Sequence, residues 1–230
     1  MMRAALAVLC LLTWAPSAAL AKTDAAYHYL DPSRIDLVDL LPPPPDPNSA
    51  AARQDERKVA RVVGERTPIQ LADALDESKR SVFFFAATLG TGFVPERLPL
   101  FTTFFARVES DVEKLVDLAK VHWQRPRPPY APEKRGSYPS GHAAFAASAA
   151  IILSEMVPER RYAIFAQARL FAENRVILGV HYPSDISAGW ITGTLAVAAM
   201  MRDKRYQSDF ATAKAELRRQ LAEASAGSRL

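Results

Sequence analysis

The sequence predicts an all-α protein, built as a single-domain helical bundle. Apolar residues recur at helical spacing through several long segments, whereas no stretch alternates apolar and polar residues as a β-strand would. Prolines and glycines fall between these segments, where they end one helix and open the next. The chain has 230 residues, 49% of them hydrophobic, which is enough to bury one compact core.

The N-terminal part of the chain is predicted to precede the bundle. Residues 1–21 have the pattern of a cleaved signal peptide, with a positive start, an apolar stretch and small residues before Lys22. Residues 22–49 form an extended arm, because the prolines of 42–45 can join neither a helix nor a sheet. We therefore expect an exported protein whose helical domain covers 50–230, and an uncleaved N-terminal anchor is the alternative that the same pattern allows.

Helix boundaries within this domain follow from caps and breakers. Thr67-Pro68-Ile69-Gln70 is a capping box with proline at the first helical position, and Gly90-Thr91-Gly92 interrupts an apolar segment over 81–89. Prolines exclude regular structure from 124–138. The bundle should close around its two most apolar segments, 143–153 and 186–201. The predicted helices are 50–64, 68–78, 99–123, 142–156, 158–178, 183–202 and 207–224.

Composition excludes several classes of function. Cys10, the only cysteine, is lost with the signal peptide, so the mature chain forms neither disulfides nor cysteine-rich metal sites. The net charge of +4 is small and its basic residues are scattered, so no nucleic-acid binding as such is expected. The longest later apolar run, 186–201, is shorter than the roughly 20 residues that cross a bilayer, so we expect no integral membrane span after signal cleavage.

Three short segments carry candidate chemistry, and the first is basic. Lys120 lies late in a predicted helix, and Arg127 is held extended by Pro128, so the two cations can converge on one anion. Taken alone, the segment also fits a basic helix end that interacts with the helix dipole.

The second segment, Pro139-Ser140-Gly141-His142, leads directly into an apolar helix. Backbone N–H groups at a helix start, a glycine that allows close approach and a hydroxyl form a cradle for an anion, with a histidine beside it. An ordinary serine cap next to a partly buried histidine fits the same residues.

The third segment contains Arg175, His181 and Asp185. If Pro183 starts a helix, the carboxylate four residues after His181 reaches one ring nitrogen and leaves the other free as a nucleophile or base. A surface histidine and aspartate that cap a helix would give the same spacing.

Together the three segments indicate phosphoryl transfer through a histidine. Cationic side chains would neutralise the phosphate oxygens, one histidine would attack phosphorus, and the other would protonate the departing oxygen. No dinucleotide loop, nucleotide phosphate loop or zinc motif is present, so no cofactor and no metal is expected.

The ordered motifs Lys120-x6-Arg127-Pro128, Pro139-Ser140-Gly141-His142 and Arg175-x5-His181-x3-Asp185 resemble the three-part signature of the type 2 phosphatidic acid phosphatase (PAP2) superfamily. The predicted signal peptide, the proline-rich arm and the sequence of 136–142 resemble those of its bacterial class A non-specific acid phosphatases. This resemblance implies a bundle of the PAP2/haloperoxidase type and a metal-independent acid phosphatase. It further implies phosphate monoester substrates of broad specificity and a homo-oligomer.

Residue roles follow from the same resemblance. His181 would be the nucleophile that forms a phosphohistidine, Asp185 would orient it, and His142 would be the general acid. His28 and His122 match no motif position. The residues implied to bind phosphate are Lys120, Arg127, Ser140, Gly141 through its amide, and Arg175.

The sequence departs from the family pattern at Asn174, where a serine is usual, and in the short loop over 129–138. A general acid must be protonated, so a histidine with an ordinary pKa of about 6.5 predicts activity that favours acid pH. Three alternatives keep the same motifs: a membrane-bound lipid phosphatase, a vanadate-dependent haloperoxidase, and a non-catalytic phosphate-binding or scaffold protein. Neither the natural substrate nor phosphotransferase activity can be read from the motifs.

Overall fold

The computed structural model describes residues 26–31, 33, 35–133 and 135–227. Helices are the only regular structure in this part of the chain, which confirms the all-α fold class. Three short 3-10 helices, at Val82–Phe85, Pro95–Arg97 and Pro158–Arg160, accompany the α-helices. The α-helices are α1 (Leu37–Leu40), α2 (Ala50–Glu65), α3 (Pro68–Asp76), α4 (Ala86–Leu89), α5 (Pro99–Trp123), α6 (Gly141–Met156), α7 (Arg161–Ile177), α8 (Pro183–Met200) and α9 (Lys204–Gly227). The predicted signal peptide, 1–21, lies outside the described residues.

Helix starts follow the side-chain caps in the sequence. The Thr67 hydroxyl accepts a hydrogen bond from the Gln70 amide, and the Gln70 side chain accepts one from the Thr67 amide, which confirms the capping box. Ser140 caps α6 in the same way, because its hydroxyl accepts the Ala143 N–H. The predicted long helix over 99–123 is confirmed with both ends as expected.

Several boundaries differ from the sequence prediction. The apolar segment over 81–89 begins as a 3-10 turn, and Pro158 opens a 3-10 turn rather than α7 itself. The last helix begins at Lys204, three residues early. The Asp203 carboxylate accepts the N–H groups of Arg205 and Tyr206, and this aspartate cap starts the helix.

The pair α6 and α8 forms the centre of the bundle, as the apolar segments predict. Twelve of the sixteen α6 residues are buried, and six of these are alanines. A Cβ atom at Gly189 would lie 2.5 Å from the Ser140 carbonyl oxygen, and one at Gly193 would collide with the Ala144 carbonyl. Only glycine allows this approach, which brings the start of α6 beside the start of α8.

The described part of the N-terminal arm packs against α5. Asp111, which is fully buried, accepts the backbone N–H groups of His28, Tyr29 and Leu30 at 2.8–3.1 Å. Tyr29 and Leu30 are buried in the same core. Farther along the arm, the Pro42 carbonyl accepts a hydrogen bond from Tyr138, so the proline stretch adjoins the loop that follows α5.

A carboxylate of the C-terminal helix α9 caps the start of α5. Leu98 precedes α5 without a side-chain cap, and the Glu216 carboxylate accepts the N–H of Phe101 at 2.8 Å instead. A carboxylate at this position favours the positive end of the helix dipole. The opposite end of α5 carries Lys120 in its last turn.

The structure contains, in its described residues, no helix with the length and apolarity required to span a bilayer.

Candidate active site

The three predicted segments meet where α5 and α7 end and α6 and α8 begin. The Ser140 amide donates to the Asp185 carbonyl at 3.0 Å, which joins the second segment to the third. Arg127 Nη1 donates to the Val180 carbonyl at 2.8 Å, which joins the first to the third. Three chain segments that are far apart in sequence therefore enclose one site.

A left-handed turn at Gly179 directs the third segment back over the end of α7. Gly179 has a φ of 72°, and a Cβ atom there would lie 2.9 Å from atoms of Tyr130 and Val63. After this turn, the amides of Val180 and His181 both donate to the Arg175 carbonyl, at 3.0 and 3.3 Å. His181 is thereby held close to the arginine that shares its motif.

His181 and Asp185 form a buried pair at the start of α8. Their side chains are only 2% and 0% exposed, and His181 Nδ1 lies 3.3 Å from Asp185 Oδ2. The same oxygen accepts the Tyr182 amide at 2.9 Å. Because an ionised carboxylate only accepts hydrogen bonds, we assign the ring proton to Nδ1, which leaves a lone pair on Nε2.

The electrostatics of this pair keep the imidazole neutral. Burial, together with Lys120 and Arg127, lowers the pKa of His181 to about 4, although Asp185 opposes this shift. Burial alone would raise the pKa of Asp185, but hydrogen bonding to His181 and the charge of Arg125 lower it. At neutral pH the site therefore combines an ionised carboxylate with an imidazole whose Nε2 can act as a nucleophile.

Arg127 lies directly against this nitrogen. Its Nη1 is 3.2 Å from His181 Nε2 and 2.9 Å from a Glu133 carboxylate oxygen. Its Nε donates to the Arg135 carbonyl at 2.9 Å. The short loop over 129–138, which sequence reasoning regarded only as a missing insertion, thus orients this guanidinium.

Lys120 and Arg175, together with Arg127, give the site three cationic side chains, which we call the cationic wall. Lys120 Nζ donates to the Gly136 carbonyl at 2.6 Å, and burial with the charge of Arg127 lowers its pKa to about 7. Arg175 is 5% exposed, and its Nε and Nη1 atoms are buried without a hydrogen-bond partner among the described residues. Burial lowers the pKa of Arg175 to about 10, which leaves it charged at neutral pH. Buried, unpaired N–H groups on a cation are costly, so they indicate a place for an anion.

His142 lies at the first turn of α6, beside this wall. Its Nε2 is 2.9 Å from the Ser78 carbonyl, and its ring stacks on Phe171 with centroids 5.8 Å apart. A carbonyl only accepts, so Nε2 carries a proton and Nδ1 is the other ring nitrogen. Burial, followed by the charge of Arg175, lowers the pKa of His142 to about 3. This pKa lies below the ordinary histidine value of about 6.5 that was assumed from the sequence.

Ser140 and Gly141 form the start of α6. Ser140 is fully buried, and its hydroxyl is engaged by the Ala143 amide at 3.3 Å. Next to Gly141 lies Arg80, whose Nη1 would be 3.8 Å from a Cβ atom at that glycine. Arg80 is held by Glu113 at 2.7 Å, and the motifs gave no indication of this further cation.

Asn174, the departure from the family pattern, makes its side-chain hydrogen bond to a residue outside the three motif segments. Its side-chain amide donates to a Glu77 carboxylate oxygen at 2.6 Å, which links α7 to the end of α3. The two histidines that match no motif also have other neighbours. The His28 amide donates to Asp111, and the His122 ring packs on Trp123.

Sequence reasoning missed Arg125 and Asp55. Arg125 Nη1 donates to Asp185 Oδ1 at 2.5 Å, and its Nη2 donates to Asp55 Oδ2 at 2.9 Å. A signal for Asp55 exists in the sequence of α2, where it shares the buried face with Ala52 and Val59. A charged residue on such a buried face requires a partner, which in this structure is Arg125.

Groups of three or more side chains suited to hold a metal ion are not found among the residues that the structure describes.

Comparison with known proteins relates this chain to phosphatases. Residues 99–209 match the PAP2 superfamily. An acid phosphatase of Zymomonas mobilis is 28% identical over 210 residues, which is 84% of this chain and 78% of that protein. A non-specific acid phosphatase of Salmonella typhimurium is 29% identical over 222 residues, which is 86% of each protein. The matched part spans all three motif segments, from Lys120 to Asp185.

Proposed function

Because the chain carries a PAP2 superfamily domain and is a phosphatase, we propose that it hydrolyses phosphate monoesters of broad specificity, without a metal, through a phosphohistidine. The observation that carries this proposal is Arg175, a buried cation whose Nε and Nη1 atoms have no hydrogen-bond partner in the described part of the chain. A phosphate with two charges would supply both the acceptors and the countercharge that this side chain lacks. The names of the relatives, acid phosphatase and non-specific acid phosphatase, support the same reaction class.

In the first step, His181 Nε2 attacks phosphorus and the bond to the leaving oxygen breaks. His142 donates a proton from Nδ1 to that oxygen, so that a neutral alcohol departs. The ring of His181 becomes cationic as the P–N bond forms, and the Asp185 carboxylate stabilises this charge through Nδ1.

In the second step, water attacks the phosphohistidine while His142 accepts a proton from it. The P–N bond breaks, His181 returns to its neutral form, and inorganic phosphate is released. Each proton that His142 gives in the first step is thus recovered in the second.

Positive charge in the site comes from the chain itself. Lys120, Arg127 and Arg175 would bind the three equatorial oxygens together with the Gly141 amide at the start of α6. Arg127 already donates toward Nε2, so a bound phosphate would replace that contact with a charge-assisted hydrogen bond.

A bound phosphate would also protonate His142. In the unliganded protein burial and Arg175 lower the pKa of His142 to about 3. A dianion beside the ring neutralises Arg175 and favours the imidazolium, so the pKa rises when the substrate binds. The general acid is then charged only in the complex where its proton is required.

The test is hydrolysis of p-nitrophenyl phosphate at mildly acidic pH with excess EDTA, using wild type, His181→Ala and His122→Ala. We expect activity in EDTA that is lost in His181→Ala, by about a million-fold if it resembles removal of other nucleophiles. The matched control His122→Ala, a histidine on α5 outside the site, should keep it. Acid-labile phosphate bound to the wild type but not to His181→Ala would identify the intermediate.

Other outcomes of the same assay favour the alternatives. Activity that EDTA abolishes would contradict metal independence. Hydrolysis of a lipid phosphate in vesicles but not of p-nitrophenyl phosphate would indicate a lipid phosphatase. Bromide oxidation with added vanadate would indicate a haloperoxidase, and phosphate binding without turnover a non-catalytic protein.

We extend the proposal to the cellular setting. The signal-like pattern of 1–21 supports export to the periplasm or beyond, followed by the arm over 22–49 and the domain over 50–230. N-terminal sequencing of exported protein should give Lys22, and a start at Met1 would contradict cleavage. The homo-oligomer is tested by light scattering on the purified protein.

A further inference from the structure

Arg125 joins two buried carboxylates on opposite sides of its guanidinium. Its side chain is 10% exposed, with Asp185 at 0% on one side and Asp55 at 9% on the other. It also lies over the ring of Tyr182, 4.3 Å from the centroid. The Ser184 hydroxyl accepts a hydrogen bond from Nη1 at 2.7 Å. Together with the two carboxylates and the Tyr182 ring, this contact holds the guanidinium in one orientation.

Asp55 anchors the far side of this arrangement. Its Oδ1 accepts the Ser184 amide at 3.3 Å, and its Oδ2 accepts both Arg125 and the Ser184 hydroxyl. Asp55 lies on α2, about one hundred and thirty positions before Ser184, so it ties that helix to the first turn of α8.

The charges alternate along the chain of contacts that ends at the nucleophile. Asp55 is negative, Arg125 positive and Asp185 negative, and His181 becomes positive as phosphorus bonds to Nε2. Without Asp55, the positive charge of Arg125 would weaken the electrostatic interaction of Asp185 with the imidazole. Asp55 offsets Arg125, so the carboxylate remains available to the cationic ring.

We propose that Arg125 and Asp55 are positioning residues for phosphoryl transfer, which hold Asp185 in place behind His181. This inference rests on the proposed function. Neither side chain is a catalytic residue, because each acts only through Asp185. Phosphate binding by Lys120, Arg127 and Arg175 is therefore independent of both.

The experiment compares Asp55→Asn and Arg125→Lys with the wild type and with Arg66→Lys. Asparagine keeps the shape of Asp55 without its charge, and lysine keeps the charge of Arg125 but reaches one carboxylate rather than two. Arg66 is the matched control, because it ties α2 to the Ile177 carbonyl of α7 and contacts none of the site residues. The measured quantities are kcat for p-nitrophenyl phosphate, the inhibition constant of inorganic phosphate, and Tm.

We expect kcat of both variants to fall by about 10- to 100-fold while the inhibition constant of phosphate stays within about twofold. Arg66→Lys should retain kcat even where its Tm falls. A kcat within about twofold of wild type in Asp55→Asn and Arg125→Lys would overturn the inference, and so would equal losses of kcat and phosphate affinity. An inactive wild type would instead contradict the proposed function, so the two failures are distinct.

Discussion

Individual side chains in this site are poised for an anion rather than for water. Two buried nitrogens of Arg175 have no hydrogen-bond partner among the described residues, and burial, followed by the charge of Arg175, lowers the pKa of His142. Lys120 has a pKa of about 7 because it is buried near Arg127. All three groups gain from a phosphate dianion, so substrate binding and the charge state of the site are linked.

Lys120 predicts how substrate affinity depends on pH. Its lowered pKa means that the ammonium is present below about pH 7 and is lost as the pH rises through that value. We expect kcat/KM of the wild type to fall by about tenfold per pH unit above this point. In Lys120→Arg the guanidinium stays charged, so the fall should shift to higher pH.

The control for this prediction is Lys114→Arg, a lysine of the same helix that donates to the Ala26 carbonyl. Its pH profile should match the wild type. A wild-type kcat/KM that stays flat from pH 6 to pH 9 would contradict the assignment of Lys120 as a phosphate ligand.

Sequence reasoning predicted which residues lie together at this site but not their electrostatics. The contact between His181 and Asp185 agrees with the motif spacing, because α8 starts at Pro183 and its first turn places the Asp185 carboxylate beside His181. It could not give the pKa of His142, because that value depends on burial under Phe171 and on the distance to Arg175. Arg125 was missed because it lies between motif positions and its partner Asp55 comes from another helix.

At the scale of elements, the lengths of helices could be predicted from the sequence, whereas the contacts between helices could not. The helical spacing of apolar residues in α5 and the caps of α3 and α6 are local in sequence. The helices predicted from them are confirmed. By contrast, α5 receives its N-terminal carboxylate from Glu216 of α9, and its middle holds the arm through Asp111. Such contacts depend on packing between distant segments, which no local pattern records.

The Asp111 carboxylate predicts a large stability effect. In Asp111→Ala three arm amides lose their buried acceptor, so we expect the free energy of unfolding to fall by about 3 kcal/mol. Asp111→Asn should lose less, because one acceptor oxygen remains. Urea denaturation of the two variants measures both values.

Asp117→Ala is the comparison for this effect. Asp117 lies on the same helix and pairs with Arg135 at the surface, where an ion pair contributes at most about 1 kcal/mol. If Asp117→Ala and Asp111→Ala were equally destabilised, attachment of the arm through Asp111 would be disproved.

For the whole molecule, we expect the cationic site to be a source of instability that bound phosphate would remove. Lys120, Arg127 and Arg175 repel one another in a poorly solvated space. A ligand that binds only the native state adds about 2.7 kcal/mol at one hundred times its Kd. For a chain of this size that corresponds to a rise in Tm of about 5–10 °C.

Thermal unfolding in sodium phosphate and in sodium chloride of equal ionic strength separates binding from screening. The wild type should gain stability only in phosphate, and Arg175→Gln should gain none. A rise of equal size in both salts would mean that general screening, not a phosphate site, stabilises the fold.

The glycine contact between α6 and α8 limits how this protein can be recombined with its relatives. Gly189 and Gly193 have no room for a side chain, since Ser140 and Ala144 of α6 occupy the space. A chimaera that imports α8 with a larger residue at either position would therefore need the matching α6 as well. The helix α6, which carries His142, and the helix α8, which begins two residues after His181, act as one exchangeable block when sequences of the superfamily are shuffled.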